Sequence, residues 1–145
     1  MLLKVKKPVM SRPFWVACCA AYAIGSLALY GMIFVPEGVF DTESSAEALA
    51  ALKISTVRVS IIAFSMVLYP ALLLTSLKWS KYFMISITAW TLAMYIDDYV
   101  ALYKIISYPE RGIIAFLLAI RPLGILALLW MSFELTVKLA IRGEA

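Results

Sequence analysis

The chain has 145 residues, 64% of them hydrophobic, a formal net charge of +4 and no histidine, and its mean hydropathy is +0.94. A soluble domain is about half apolar, so this excess excludes an ordinary soluble core and calls for a bilayer as solvent. The lack of histidine excludes bis-histidine haem, the usual zinc sites and any His-based acid–base or nucleophile relay. The basic residues flank apolar runs, where membrane orientation places them, and form no nucleic-acid patch.

The first predicted span is 14–35, uncharged and preceded by Lys4, Lys6, Lys7 and Arg12. The apolar region of a signal peptide has about 7–15 residues. This run is longer, and Ile33-Phe34-Val35-Pro36 is a poor cleavage site, so it reads as a retained helix. Ala17-x-x-x-Ala21-x-x-x-Gly25 forms a ridge of small residues that permits close helix contact, inside the bundle or against a second copy. Cys18 and Cys19 are adjacent, with neither a disulfide framework nor metal-ligand spacing. Mercury-transport membrane proteins also carry a cysteine pair in the first helix. This chain lacks their following proline and further cysteine pair, and the pair reads as two small core residues.

An acidic, turn-rich stretch follows, and an outer loop is predicted over 36–52. Ser44-x-x-Glu47 reads as a capping box. The helical pattern then continues to Leu77, too long for one crossing at about 1.5 Å per residue. Either that helix projects beyond the bilayer or 46–53 is a separate interfacial turn. The span itself is predicted at 56–77, with a kink at Pro70.

Lys78-Trp79-Ser80-Lys81 reads as a short basic connection, with Ser80 as N-cap of a third helix over 81–103. Tyr108-Pro109-Glu110-Arg111-Gly112 breaks the pattern. The fourth span is predicted at 113–136, interrupted by Arg121-Pro122-Leu123-Gly124. Pro122 removes a backbone hydrogen bond and frees the carbonyl of Leu118. Glu134 and Lys138 make an i,i+4 pair.

The fold expected is all-α: a four-transmembrane-helix bundle in a single membrane domain over 1–145. Eight basic residues fall on one side: Lys4, Lys6, Lys7, Arg12, Lys78, Lys81, Lys138 and Arg142. The other side has Lys53, Lys104 and Arg111, with Arg58 and Arg121 inside or near spans. The richer side is cytoplasmic, which puts both termini inside at a cell (inner) membrane.

Four charges stand out within the apolar runs: Arg58, Asp97, Asp98 and Arg121. A charge at membrane depth is costly unless paired or hydrated. Side chains lean toward their helix N-terminus, which brings arginines of helices two and four to one level with the aspartates of helix three. The group is either a structural ion-pair network or a site for a polar solute or ion. Tyr69 on helix two, and Thr91 and Tyr95 on helix three, lie on polar stripes that either glue helices or line a wet path. Pro36 ending helix one, Arg58 opening helix two and Asp97-Asp98 ending helix three are similar in outline to the small four-helix DoxX-like membrane proteins. That resemblance rests on layout and carries no family motif.

The expected function is that of a non-catalytic accessory or assembly subunit of a membrane complex. The alternative is a small transporter or channel that uses the Arg/Asp cluster. No enzyme, cofactor or metal site is expected. The partners expected are the lipid bilayer and other membrane subunits, or a second copy through the Ala17/Ala21/Gly25 ridge, with no nucleic acid.

Overall fold

The computed structural model describes residues 9–34, 46–105 and 110–143. It consists of α1 (Arg12–Phe34), α2 (Ala46–Thr75), α3 (Leu77–Val100) and α4 (Ile113–Ile141), with a short 3₁₀ turn at Leu102–Lys104. Three segments are long and apolar enough to cross a membrane: α1, Leu49–Thr75 of α2, and α4, with mean hydropathies of 1.8, 2.0 and 2.3. The third helix, expected as a span over 81–103, does not join them. It carries Lys78 and Lys81 in its first turns, Asp97 and Asp98 in its last, and Ser80, Thr88 and Thr91 between.

Several boundaries differ from the sequence expectation. Segment 46–52, expected in the outer loop, forms the first two turns of α2, which is one helix of 30 residues. At about 45 Å it exceeds a hydrocarbon core of about 30 Å. The stretch Lys78-Trp79-Ser80-Lys81 is not a connection but the opening of α3. The cap is Ser76, in extended backbone, and it accepts from the Trp79 N–H. Ser80 is instead fully buried, its hydroxyl donating to the Ser76 carbonyl at 2.7 Å. Ser76 won because a cap must precede the first helical residue, and the basic tetrapeptide is already helical. Nor does Pro122 interrupt α4, which runs on to Ile141, just as α2 runs through Pro70. A proline removes one hydrogen bond, and packed neighbours can hold a helix through that loss. The acidic stretch 36–45, the Ser44 end of the capping box and the Tyr108-Pro109 break lie outside the described residues.

The helices form a square. α1 packs on α2 and α4, and α3 packs on the same two from the other side. Every packed pair is antiparallel: Ser11 meets Glu134, Gly25 meets Met66, Arg58 meets Asp97, and Asp98 meets Arg121. The half of the bundle near Glu134 is filled by Phe14, Tyr69, Met84, Leu128, Met131 and Leu135. Polarity runs inside out relative to a soluble protein. Ser80, Lys81, Thr88, Thr91, Asp98 and Glu134 are buried, whereas Val16, Leu74, Leu126 and Phe133 are exposed. An apolar outer surface of this kind marks contact with lipid or protein. This is the surface of a small membrane protein.

The Ala17/Ala21/Gly25 ridge is buried within the chain, facing the bundle. A Cβ on Gly25 would come within 2.8 Å of Met66 Cβ and 3.0 Å of the Ala63 carbonyl. The carbonyl belongs to a packed helix and has little room to yield. Gly25→Ala is therefore expected to destabilise the bundle by about 1–3 kcal/mol through overpacking, outweighing the gain in helix propensity of about 1 kcal/mol. Thermal unfolding in detergent, followed by circular dichroism, measures it. An unchanged or raised Tm would mean that α1 and α2 can separate at this point.

Candidate functional site

The four charges resolve into two separate pairs. Arg58 of α2 bonds Asp97, and Arg121 Nη1 of α4 lies 2.6 Å from Asp98 Oδ2. Adjacent residues on a helix point about 100° apart. Asp97 and Asp98 therefore aim at different neighbours, one at α2 and the other at α4. Both aspartates sit in the last turn of α3. The environments differ: side-chain exposures are 30% and 46% for Arg58 and Asp97, but 18% and 6% for Arg121 and Asp98. The Arg121 guanidinium also stacks on the Tyr95 ring, 5.1 Å from its centroid, and the Tyr103 phenol faces the same group.

The buried pair borders a cavity of about 170 Å³ in the half of the bundle away from Glu134. Its wall comes from all four helices: Gly25 and Ala28 of α1, Val59 and Met66 of α2, Leu118 and Gly124 of α4, with Thr91 and Asp98 of α3. Small residues stand where the other half carries Phe14, Tyr69 and Met131, so the difference in side-chain volume leaves the space open. Arg58 and Asp97 are not part of the wall, and neither are Tyr95 and Tyr69. The structure thus brings Arg121, Asp98 and Thr91 to one cavity, places Tyr95 behind Arg121, and sets Arg58–Asp97 apart. Tyr69 lies in the packed half with its hydroxyl buried and unbonded.

The polar stripes turn inward on their own helices. Hydroxyls of Thr56, Ser60, Ser65, Thr88 and Thr91 each donate to the carbonyl four residues back. Two also reach across: Thr88 to the Leu128 carbonyl at 3.3 Å, and Ser60 to Met32 sulfur at 3.2 Å. A hydroxyl that donates to its own backbone spends its one proton there and keeps only its acceptor lone pairs for a neighbour. Cys18 is buried and Cys19 exposed, so the two thiols face different surroundings. Among the described residues no group of three His, Cys, Asp or Glu side chains could hold a metal.

Sequence reasoning missed the reach of Glu134. Beyond its i,i+4 contact with Lys138 at 3.1 Å, its carboxylate accepts from the Ser11 N–H at 2.7 Å, the Ser11 hydroxyl at 2.5 Å and the Trp130 indole at 3.0 Å. Ser11 also caps α1 by accepting from the Phe14 N–H. Lys138 in turn bonds the Val9 carbonyl. Ser11 just before Arg12-Pro13 was the available signal, since a serine ahead of a proline in the first helical turn reads as an N-cap.

No protein-family model matches the chain, and no curated protein or solved structure matches it.

Breaking one half of a buried pair costs about 3–5 kcal/mol, because the survivor is left charged and unpaired. Arg121→Leu is expected to lose stability on that scale, and adding Asp98→Asn should recover part of it. Arg58 and Asp97, being partly exposed, should couple by no more than about 1 kcal/mol. Double-mutant cycles on unfolding in detergent separate the pairs. Coupling of Arg121 to Asp97 as strong as to Asp98 would contradict the two-pair geometry.

Proposed function

We propose that this chain is a four-span, non-catalytic subunit of a larger membrane complex, with both termini in the cytoplasm of a cell that holds it in its inner membrane. Three helices qualify as spans by their own composition. The fourth, α3, is packed between two of them along its length. Its charges are paired or placed at its ends, which removes most of the penalty for crossing. Lys78, Lys81, Lys138 and Arg142 gather at the Glu134 end, and the basic bias makes that end cytoplasmic. Reporter fusions at Trp79 and Ala145 should give cytoplasmic signals, and fusions at Glu43 and Glu110 external ones. A cytoplasmic signal at Glu110 together with an external one at Ala145 would remove α3 as a span.

The observation that carries the subunit reading is the outer face of α3. Among its exposed Tyr82, Ile85, Trp90 and Ile96, α3 presents the small side chains of Ser86, Ala89 and Ala93 on its outer face. Small residues on an outward face let another helix approach closely in a membrane. The carboxylates of Asp98 and Glu134 are each engaged by cations and donors, which leaves neither poised as a general base. The transport reading draws less support, because the cavity wall is mostly aliphatic and the ionised groups on it, Arg121 and Asp98, neutralise one another. A cysteine placed at Ala89, with Cys19 replaced by Ala, should crosslink to a specific membrane protein in native membranes. A cysteine at Leu126 on the exposed face of α4 should not. Equal, diffuse crosslinking at both positions would mean that α3 faces lipid.

A further inference from the structure

The cavity beside Arg121 is open space that the subunit reading does not use. We propose that it binds a neutral, membrane-dissolved aliphatic molecule bearing one hydroxyl head, an alcohol of slim chain, with the head at the Arg121–Asp98 pair. Size sets the first limit. At about 170 Å³ the space compares with engineered apolar cavities of roughly 150 Å³ that stay dry and admit small apolar ligands. Chemistry of the wall sets the second. Ile24, Ala28, Val59, Leu117 and Ile125 present methyl and methylene groups, and among the described residues no aromatic ring lines the space. Such a wall suits a flexible chain better than a flat ring.

Charge sets the third limit. Arg121 and Asp98 already balance, and Asp98 is 4% exposed. A ligand that brought its own charge would leave a net ion in a low-dielectric pocket, where desolvation is not repaid. A neutral head keeps the balance. The guanidinium has five N–H donors, more than its contacts with Asp98 and the Tyr103 phenol use, so the head must offer an acceptor. Two prolines supply the argument that it should also donate. Pro70 and Pro122 have no N–H, so the carbonyls of Met66 and Leu118 lack their partners four residues on. Both Met66 and Leu118 line this cavity. A hydroxyl, which accepts once from Arg121 and donates once to a carboxylate or carbonyl, matches these groups, whereas a ketone only accepts and an ammonium only donates.

The test uses the full chain in vesicles of phosphatidylcholine and phosphatidylglycerol. An aliphatic alcohol short enough for the cavity and carrying an alkyl diazirine is photolysed in the vesicles, and adducts are mapped by mass spectrometry. Adducts should concentrate on the stretches 24–32, 52–66 and 114–125, and excess unlabelled alcohol of the same length should displace them. The same chain ending in a carboxylate should label there at least about tenfold less. Ala28→Leu, which fills the cavity, should abolish that labelling while leaving Tm unchanged or raised. Displacement in the unmodified protein gives the answer even where this variant fails to fold. Adducts spread evenly over lipid-facing Val16, Leu126 and Phe133, with no displacement, would overturn the site. So would a folded Ala28→Leu protein labelled like the parent. Equal labelling by the carboxylate would overturn the neutral-alcohol assignment. None of these outcomes bears on the crosslinking of α3, so the two readings fail separately.

Discussion

A charge inside a membrane bundle must find its opposite, and α3 depends on that rule more than any other helix. It lacks the apolar content of its neighbours, so hydrocarbon contact alone would not hold it. Two adjacent aspartates tie it at one end, Asp97 to α2 and Asp98 to α4. At its other end Lys81 has a buried stem and carries its ammonium over the Tyr82 ring, 4.7 Å from the centroid. Such a side chain buries its methylenes while its charge reaches the boundary. The square arrangement follows: α3 cannot be placed beside α1, which has no charged residue after Arg12 to meet it.

The two halves of the bundle then solve the packing problem differently. Near Glu134 the helices are filled by large side chains, including Phe14, Tyr69 and Leu135. Near Arg121 the facing positions are Gly25, Ala28, Ala63 and Gly124. Gly25 lets α1 and α2 touch, with no room for a methyl group against Ala63 and Met66. At Gly124 the nearest atom to an added Cβ is Ile24 Cδ1 at 3.4 Å, an ordinary contact. Small residues thus serve two ends in one structure. At one position they allow close approach, and at the other they leave space.

Much of the fold was legible because it rests on composition and period. Apolar runs bounded by Lys, Pro and Gly gave four helices, and the small-residue ridge gave the packed face of α1. The boundaries were less legible. Ser76 and Ser80 have the same capping chemistry, and only the helical geometry of Lys78 and Trp79 separates them. Pro122 looked like an interruption and Pro70 like a kink, and both helices run on through them. In the site, spacing identified the four charges and helix direction brought them level. What spacing could not show is that neighbouring aspartates diverge, so one expected cluster is two pairs. Glu134 makes the same point over a longer range. Its bond to Lys138 is local, but its bonds to Ser11 join residues 123 positions apart, and no local pattern records that.

These differences make the two ends unequal in strength. At the Glu134 end one carboxylate collects four donor groups, from Ser11, Trp130 and Lys138, and Lys138 also holds the Val9 carbonyl. That network fastens the start of α1 to α4 above a filled core, and hydrogen bonds to a charged acceptor are the stronger kind. At the Arg121 end α3 is held by the Arg58–Asp97 pair on one side and by Arg121, with Asp98 and Tyr95, on the other, with the cavity between α2 and α4. Local opening is favoured where buried apolar contacts are few. Local opening of the bundle is therefore favoured beside Arg121 over the Glu134 end. The helix most exposed to that opening is α3, which borders the cavity through Thr91 and Asp98.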